Sequence, residues 1–174
     1  MGKAHIMLDL ETMGFPPDGA ICSLAAVNIL TEDFFEATIN WPDSVRLYDR
    51  KMNPDTVSWW LRKDEKQRNS IDPAQGKGLR TVLQELGSWF QNQGTIILWG
   101  CGSDFDNVLL SNAFKATGVH YPVTYNNNRC YRTIRELFPV NLTFEGVQHT
   151  ALDDARFQAR VMREIINTYK FALA

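Results

Sequence analysis

Asp9 and Glu11 stand two residues apart at the end of Ala4 to Leu10, a run short and apolar enough for a buried strand. Alternate residues of a strand share a face, so both carboxylates point together. Like charges held that close raise each other's pKa unless a cation lies between them. An isolated D-x-E is more often a solvent-facing strand end, so the pair needs support from elsewhere. Asp106 supplies some. It follows the apolar strand 95–99 and the segment Gly100-Cys101-Gly102, whose glycines allow close backbone approach, and it opens a helix just past a strand end, where ligands gather in α/β sheets. Ser103 or Asp104 would cap that helix, and Asp104 stays open as the functional acid. The third element is His149-Thr150-Ala151-Leu152-Asp153-Asp154, a histidine ahead of a long helix with two acids in its first turn. One of those acids needs no role beyond the helix dipole. A histidine beside clustered carboxylates, with an ordinary pKa of about 6.5, is placed to take a proton from water. Oxygen donors without cysteine suit Mg²⁺ or Mn²⁺ better than zinc.

The elements that must hold these residues are legible in outline. Strands are predicted at 4–10, 21–30 and 34–40, joined by short turns as an antiparallel meander, with Gly14-Phe15-Pro16-Pro17-Asp18-Gly19 as the first turn. Asn53-Pro54-Asp55 opens a short helix carrying Val57, Trp60 and Leu61, and a polar, solvated run follows from Lys63 to Asn69. Leu79, Val82, Leu83, Leu86, Trp89 and Phe90 recur at helical spacing up to Gly94. Further helices are predicted at 103–117, 132–138 and 151 to about Phe171. Three antiparallel strands followed by strands and helices in alternation imply a mixed sheet with helices on its faces.

At 174 residues the chain suits one domain, 1–174, and is too short for two comfortable ones. Lys and Arg number 18 against 20 Asp and Glu, a net charge of −2, so a polyanion held by bulk charge alone is excluded and any nucleic-acid contact must be local. No apolar stretch reaches the roughly 18 residues of a membrane helix, and no secretory signal is visible. Three cysteines without close pairing argue against a disulfide framework, and a cytoplasmic location is expected.

Taken together, Asp9-Leu10-Glu11-Thr12, Phe105-Asp106 and His149-x-Ala151-x-x-Asp154 resemble, in order, the three motifs of the DnaQ-like DEDDh 3′-5′ exonucleases. The likeness spans nearly the whole chain and is nearest to small phage and bacterial members with a Trp-Trp element, here Trp59-Trp60. One departure is Gly102, where many members carry Asn; Phe105 directly before Asp106 favours Asp106 over Asp104. The resemblance implies a ribonuclease H-like α/β fold, a mixed five-stranded sheet of three antiparallel and two parallel strands flanked by helices. It implies a metal-dependent enzyme that removes nucleoside 5′-monophosphates from the 3′ end of single-stranded DNA or RNA. Two cations, Mg²⁺ or Mn²⁺, would be held by Asp9, Glu11, Asp106 and Asp154, with Asp9 shared between them and His149 as general base.

Leu10, Thr12 and Met13 would contact the terminal nucleotide, through backbone amides and a side chain wedged by the last base. Trp60 and Phe105 would offer stacking surface, and Trp59 is read as structural or interfacial. Arg129, Arg132 and Arg135, and separately Arg156 and Arg160, either guide phosphates or are solvated charges. Two other readings are a hydrolase of very short oligonucleotides and a binding module without catalysis. Exposed aromatics leave room for a homodimer.

Overall fold

β-Strand 1 (β1, Ala4–Thr12) is the centre of the sheet because its residues are apolar on both sides. A computed structural model describes residues 3–170 and residue 173. β2 (Ile21–Asn28) and β3 (Phe34–Thr38) follow as the antiparallel meander, while β4 (Ile96–Gly100) and β5 (Asn128–Cys130) add in parallel, giving the order β3-β2-β1-β4-β5. The α-helices among the described residues are α1 (Trp41–Tyr48), α2 (Pro54–Leu61), α3 (Glu65–Asn69), α4 (Leu79–Gln93), α5 (Asp106–Thr117), α6 (Tyr131–Leu137) and α7 (Ala151–Tyr169).

Strand alternation divides the core. Ile6, Leu8 and Leu10 pack with Leu83 and Phe90 of α4 and Leu109 and Phe114 of α5. Met7, on the opposite face, packs with Trp99 and with Ala155, Ala159 and Met162 of α7. Asp9 and Glu11 continue the odd-numbered series and so share the side on which α7 lies. Alanines at 155 and 159 let that helix come close to the sheet. A smaller cluster of Met13, Ala20, Cys22, Trp60 and Ile71 fills the space under α2.

Several expectations change. Residues 41–48 form a helix that hydrophobic spacing did not reveal; Asn40 caps it by accepting from the Asp43 amide, with a proline in the first turn, the same device Asn53 and Pro54 use at α2. The polar run 63–69 contains α3, built on a capping box between Asp64 and Gln67. β2 stops at Asn28 because its side-chain oxygen accepts from the Leu30 and Thr31 amides and closes a turn. β3 ends at Thr38 rather than residue 40. α5 begins at Asp106 rather than Ser103, since the Phe105 amide bonds the Gly102 carbonyl in a preceding turn. α7 is described to Tyr169, and its predicted end at Phe171 lies outside the described residues. Among the described residues no helix is long and apolar enough to cross a membrane.

Candidate active site

The C-terminal ends of β1 and β4 meet the starts of α5 and α7, and the acids gather there. The register of β1 against β2 shifts between Glu11 and Thr12, a bulge of the kind that re-aims side chains at a strand end. Glu11, His149 and Asp154 each offer a ligand atom, and these atoms lie within 4.8 Å of one another. Asp9, two residues back on the same strand, feels the charges of Asp106, Glu11 and Asp154, and its Oδ1 accepts from Gln158 Nε2 at 2.7 Å. Asp106, only 5% exposed, accepts from the Cys101 amide through Oδ2 at 3.1 Å.

Gly100 makes room for Asp106. A Cβ there would stand 2.3 Å from Asn107 Oδ1 and 3.1 Å from Asp106 Cβ. Gly100→Ala is therefore expected to destabilise the protein by about 1–3 kcal/mol, as overpacking does, and to lower kcat by shifting Asp106. Gly78→Ala is the control, because nothing lies within 4 Å of its added carbon. Denaturant melts of both variants check the contrast.

The electrostatics of the cluster are unfavourable without a cation. Burial, then the charges of Asp106, Glu11 and Asp154, hold the Asp9 carboxyl well above its usual range, against the lowering effect of Gln158. Burial with Asp154 and Asp106 pushes Glu11 up to about 8, opposed by Lys63. Burial raises Asp106 to about 7 although backbone amides of Cys101 and Leu10 and the Arg132 guanidinium pull it down. Burial also raises Asp154. Crowded, desolvated oxygen donors with this much proton affinity fit hard divalent cations, which would take the protons' place.

His149 is held from several directions. Its backbone sits at φ 62°, and its amide donates to Asp154 Oδ2 at 2.7 Å. A left-handed conformation is uncommon for a residue with a side chain, and such outliers gather at functional sites. Gln67 of α3 donates to the Gln148 carbonyl at 2.8 Å, tying the preceding loop to the capping-box helix. The imidazole meets Trp59 edge-on at 4.8 Å between centroids, and Lys63 Nζ lies 3.8 Å from the same indole. Burial, then the Lys63 charge, lower the His149 pKa, which favours the neutral ring. Asp153 turns away and accepts from the Val147 amide at 2.9 Å. Asp104 is exposed, outside the buried group that includes Asp106.

The expected substrate contacts are placed differently. Trp60 is 3% exposed, and its Nε1 donates to the Thr12 carbonyl at 2.9 Å, so its ring is framework and Trp59 is the tryptophan beside His149. Met13 is buried, and its amide donates to the Ala20 carbonyl at 2.8 Å, so that amide is already engaged. Thr12 is buried with its hydroxyl on the Gly14 carbonyl, and Leu10 lies in the core with Phe105 packed against the same cluster. Arg132 reaches the Cys101 carbonyl close to Asp106, and Arg129 folds back on the Asn126 carbonyl. Arg135 lies over the Tyr131 ring, Arg156 stacks on Phe34, and Arg160 pairs with Glu145. Lys63 and Gln158 were missed. Gln158 carried one signal, its position one helical turn after Asp154 on the same face.

The C-terminal ends of the central strands thus carry clustered acids and a histidine, a donor set chemically suited to divalent cations. The model of the 3′-5′ exoribonuclease Rv2179c-like domain matches residues 4–166. The chain belongs to that family and is a hydrolase, a 3′-5′ exonuclease. No curated protein sequence matches it. Among solved structures, the nuclease domain of 3′hExo, a DEDDh family member bound to rAMP, superposes with a TM-score of 0.64 at 15% identity over 95% of this chain and 92% of that one. Product-bound exonuclease I gives 0.66 at 12% identity over 97% of this chain but 44% of its own. A full-length 3′-exonuclease gives 0.53 at 17% identity over 96% and 84%. These likenesses share the mixed five-stranded, ribonuclease H-like fold.

Proposed function

We propose that this exonuclease acts as one domain on the 3′ end of single-stranded RNA, releasing nucleoside 5′-monophosphates. The observation that carries the reading is the meeting of Glu11, Asp154 and His149 within 4.8 Å, with Asp9 and Asp106 charged against them. Asp9, Glu11, Asp106 and Asp154 would hold two divalent cations, Mg²⁺ or Mn²⁺. When bound, these ions supply positive charge at a phosphodiester, polarising it and offsetting the charge that develops as it is cleaved.

The rest is done by the chain's own residues. Neutral His149, its pKa lowered by burial and Lys63, accepts a proton at its imidazole nitrogen from the water whose oxygen bonds to phosphorus; the bond from phosphorus to the 3′ oxygen of the preceding nucleotide breaks, and that oxygen leaves to take a proton from solvent. Trp59 sets the ring's orientation by edge contact. Phe15, 57% exposed, and Trp59 line a cleft of about 240 Å³ with Asp55 and Thr56, where a terminal base can stack without regard to its identity. RNA rather than DNA is favoured by the description of the family as exoribonucleases.

The test is a digestion of 5′-labelled RNA and DNA strands, long and of two nucleotides, with Mn²⁺, Mg²⁺ or EDTA. We expect stepwise shortening from the 3′ end, only with metal and faster on RNA. Activity confined to the dinucleotide would instead support the short-oligonucleotide reading, and full activity in EDTA would contradict the cation requirement.

A further inference from the structure

The central strand and the last helix meet as a ladder of two rungs, and the carboxylate cluster explains only one of them. Asp9 and Glu11 are separated along β1 by a rise of roughly 6.6 Å. Asp154 and Gln158, one turn apart in α7, are separated by a rise of roughly 6 Å. The spacings match, and the order is reversed between the two elements: Glu11 meets Asp154, whereas Asp9 meets Gln158.

The first rung sets two acids against each other. The second sets an acid against an amide, with Gln158 Nε2 donating to Asp9 Oδ1 at 2.7 Å. With Asp9 ionised, as a bound cation would make it, the carboxylate can only accept, so the nitrogen end of the amide faces it. Gln158 is 8% exposed, and its Oε1 is buried with no hydrogen-bond partner. That orphaned acceptor is unfavourable, and the contact with Asp9 is what the orientation gains in return. A helix residue needed only to fill this space would do so better as methionine, which has similar length and no polar atom to leave unpaired.

The geometry points to Gln158 as a positioning residue that holds Oδ1 of Asp9, fixing the rotation of the carboxylate so that its other oxygen is presented to the cation site. This rests on the cation-dependent reading above. Partners of this kind orient metal ligands, and their loss typically weakens metal affinity or activity by about 10- to 100-fold.

Calorimetric titration of Mn²⁺ into metal-free protein, together with steady-state kinetics on an RNA oligonucleotide, tests it in Gln158→Met. We expect Mn²⁺ affinity and kcat each to fall by about 10- to 100-fold, with KM changed by no more than about twofold and the metal-free Tm not lowered. Gln158→Asn folds with a polar side chain in place but falls one methylene short of Asp9, and it is expected to show the same loss. Unchanged Mn²⁺ affinity and kcat in both variants would overturn the role assigned to Gln158. So would a lower Tm alone. A wild-type protein that takes up no Mn²⁺ would sink the cation reading itself, a separate outcome from wild-type binding that both variants retain.

Discussion

Asp9→Asn is expected to leave no measurable turnover while the metal-free protein becomes no less stable than wild type at pH 8. The two halves of this result have one cause. Asp9 lies where burial and three other acids oppose its charge, so removing that charge relieves the fold even as it removes a proposed cation ligand. The amide of Asn still accepts from Gln158, so the hydrogen bond there survives. The pH dependence follows from the signs. Glu11 at about 8 and Asp106 at about 7 both lie above their ordinary values. A carboxyl whose pKa is raised by folding contributes stability below its unfolded pKa and loses it as pH rises through the folded value. Metal-free wild type should therefore lose stability between about pH 5 and 8.

Mn²⁺ should reverse that loss. A hundredfold excess over Kd adds about 2.7 kcal/mol, roughly 5–10 °C in Tm for a chain of this size, and Asp9→Asn should gain much less. Melting curves at pH 5 and pH 8, with and without Mn²⁺, read all four quantities. Equal Mn²⁺ shifts in wild type and variant would count against Asp9 as a ligand.

His149→Ala should lower kcat by roughly two to four orders of magnitude, the usual cost of a lost acid–base group, and leave the fold intact. Its amide, not its ring, bonds Asp154, so the backbone bracing of that carboxylate remains. The left-handed φ of 62° costs alanine no less than histidine, so no large stabilisation is expected from the change. The pH profile separates this role from simple crowding. Wild-type kcat should fall on the acid side with an apparent pKa below 6.5, in keeping with the lowered value that burial and Lys63 impose, and the variant should lose that limb. A variant rate within tenfold of wild type would remove the imidazole from proton transfer.

Much of this was readable because it depends on local period. Alternation along β1 put Asp9 and Glu11 on one face, and the glycines before Asp106 announced a close approach that Gly100 does make. Residues whose meaning depends on tertiary contact were not readable. Trp59 and Trp60 are adjacent in sequence, and only the approach of α2 to the β1 end decides which ring is buried under Thr12 and which stands against His149. β5 has three residues and no apolar run, so its pairing with β4 exists only in the assembled sheet. α1 was legible in principle, since Asn40 and Pro42 repeat the signal at Asn53 and Pro54, but its apolar residues are too few to draw attention. Gln158 looked like any polar helix residue until the strand facing it was known.

The most direct measurement is anomalous diffraction from crystals of the wild-type protein soaked in Mn²⁺ with a nucleoside 5′-monophosphate. Two anomalous peaks enclosed by Asp9, Glu11, Asp106 and Asp154, with the His149 ring beside them, are expected. A map with no peak among these four carboxylates at saturating Mn²⁺ would contradict the account.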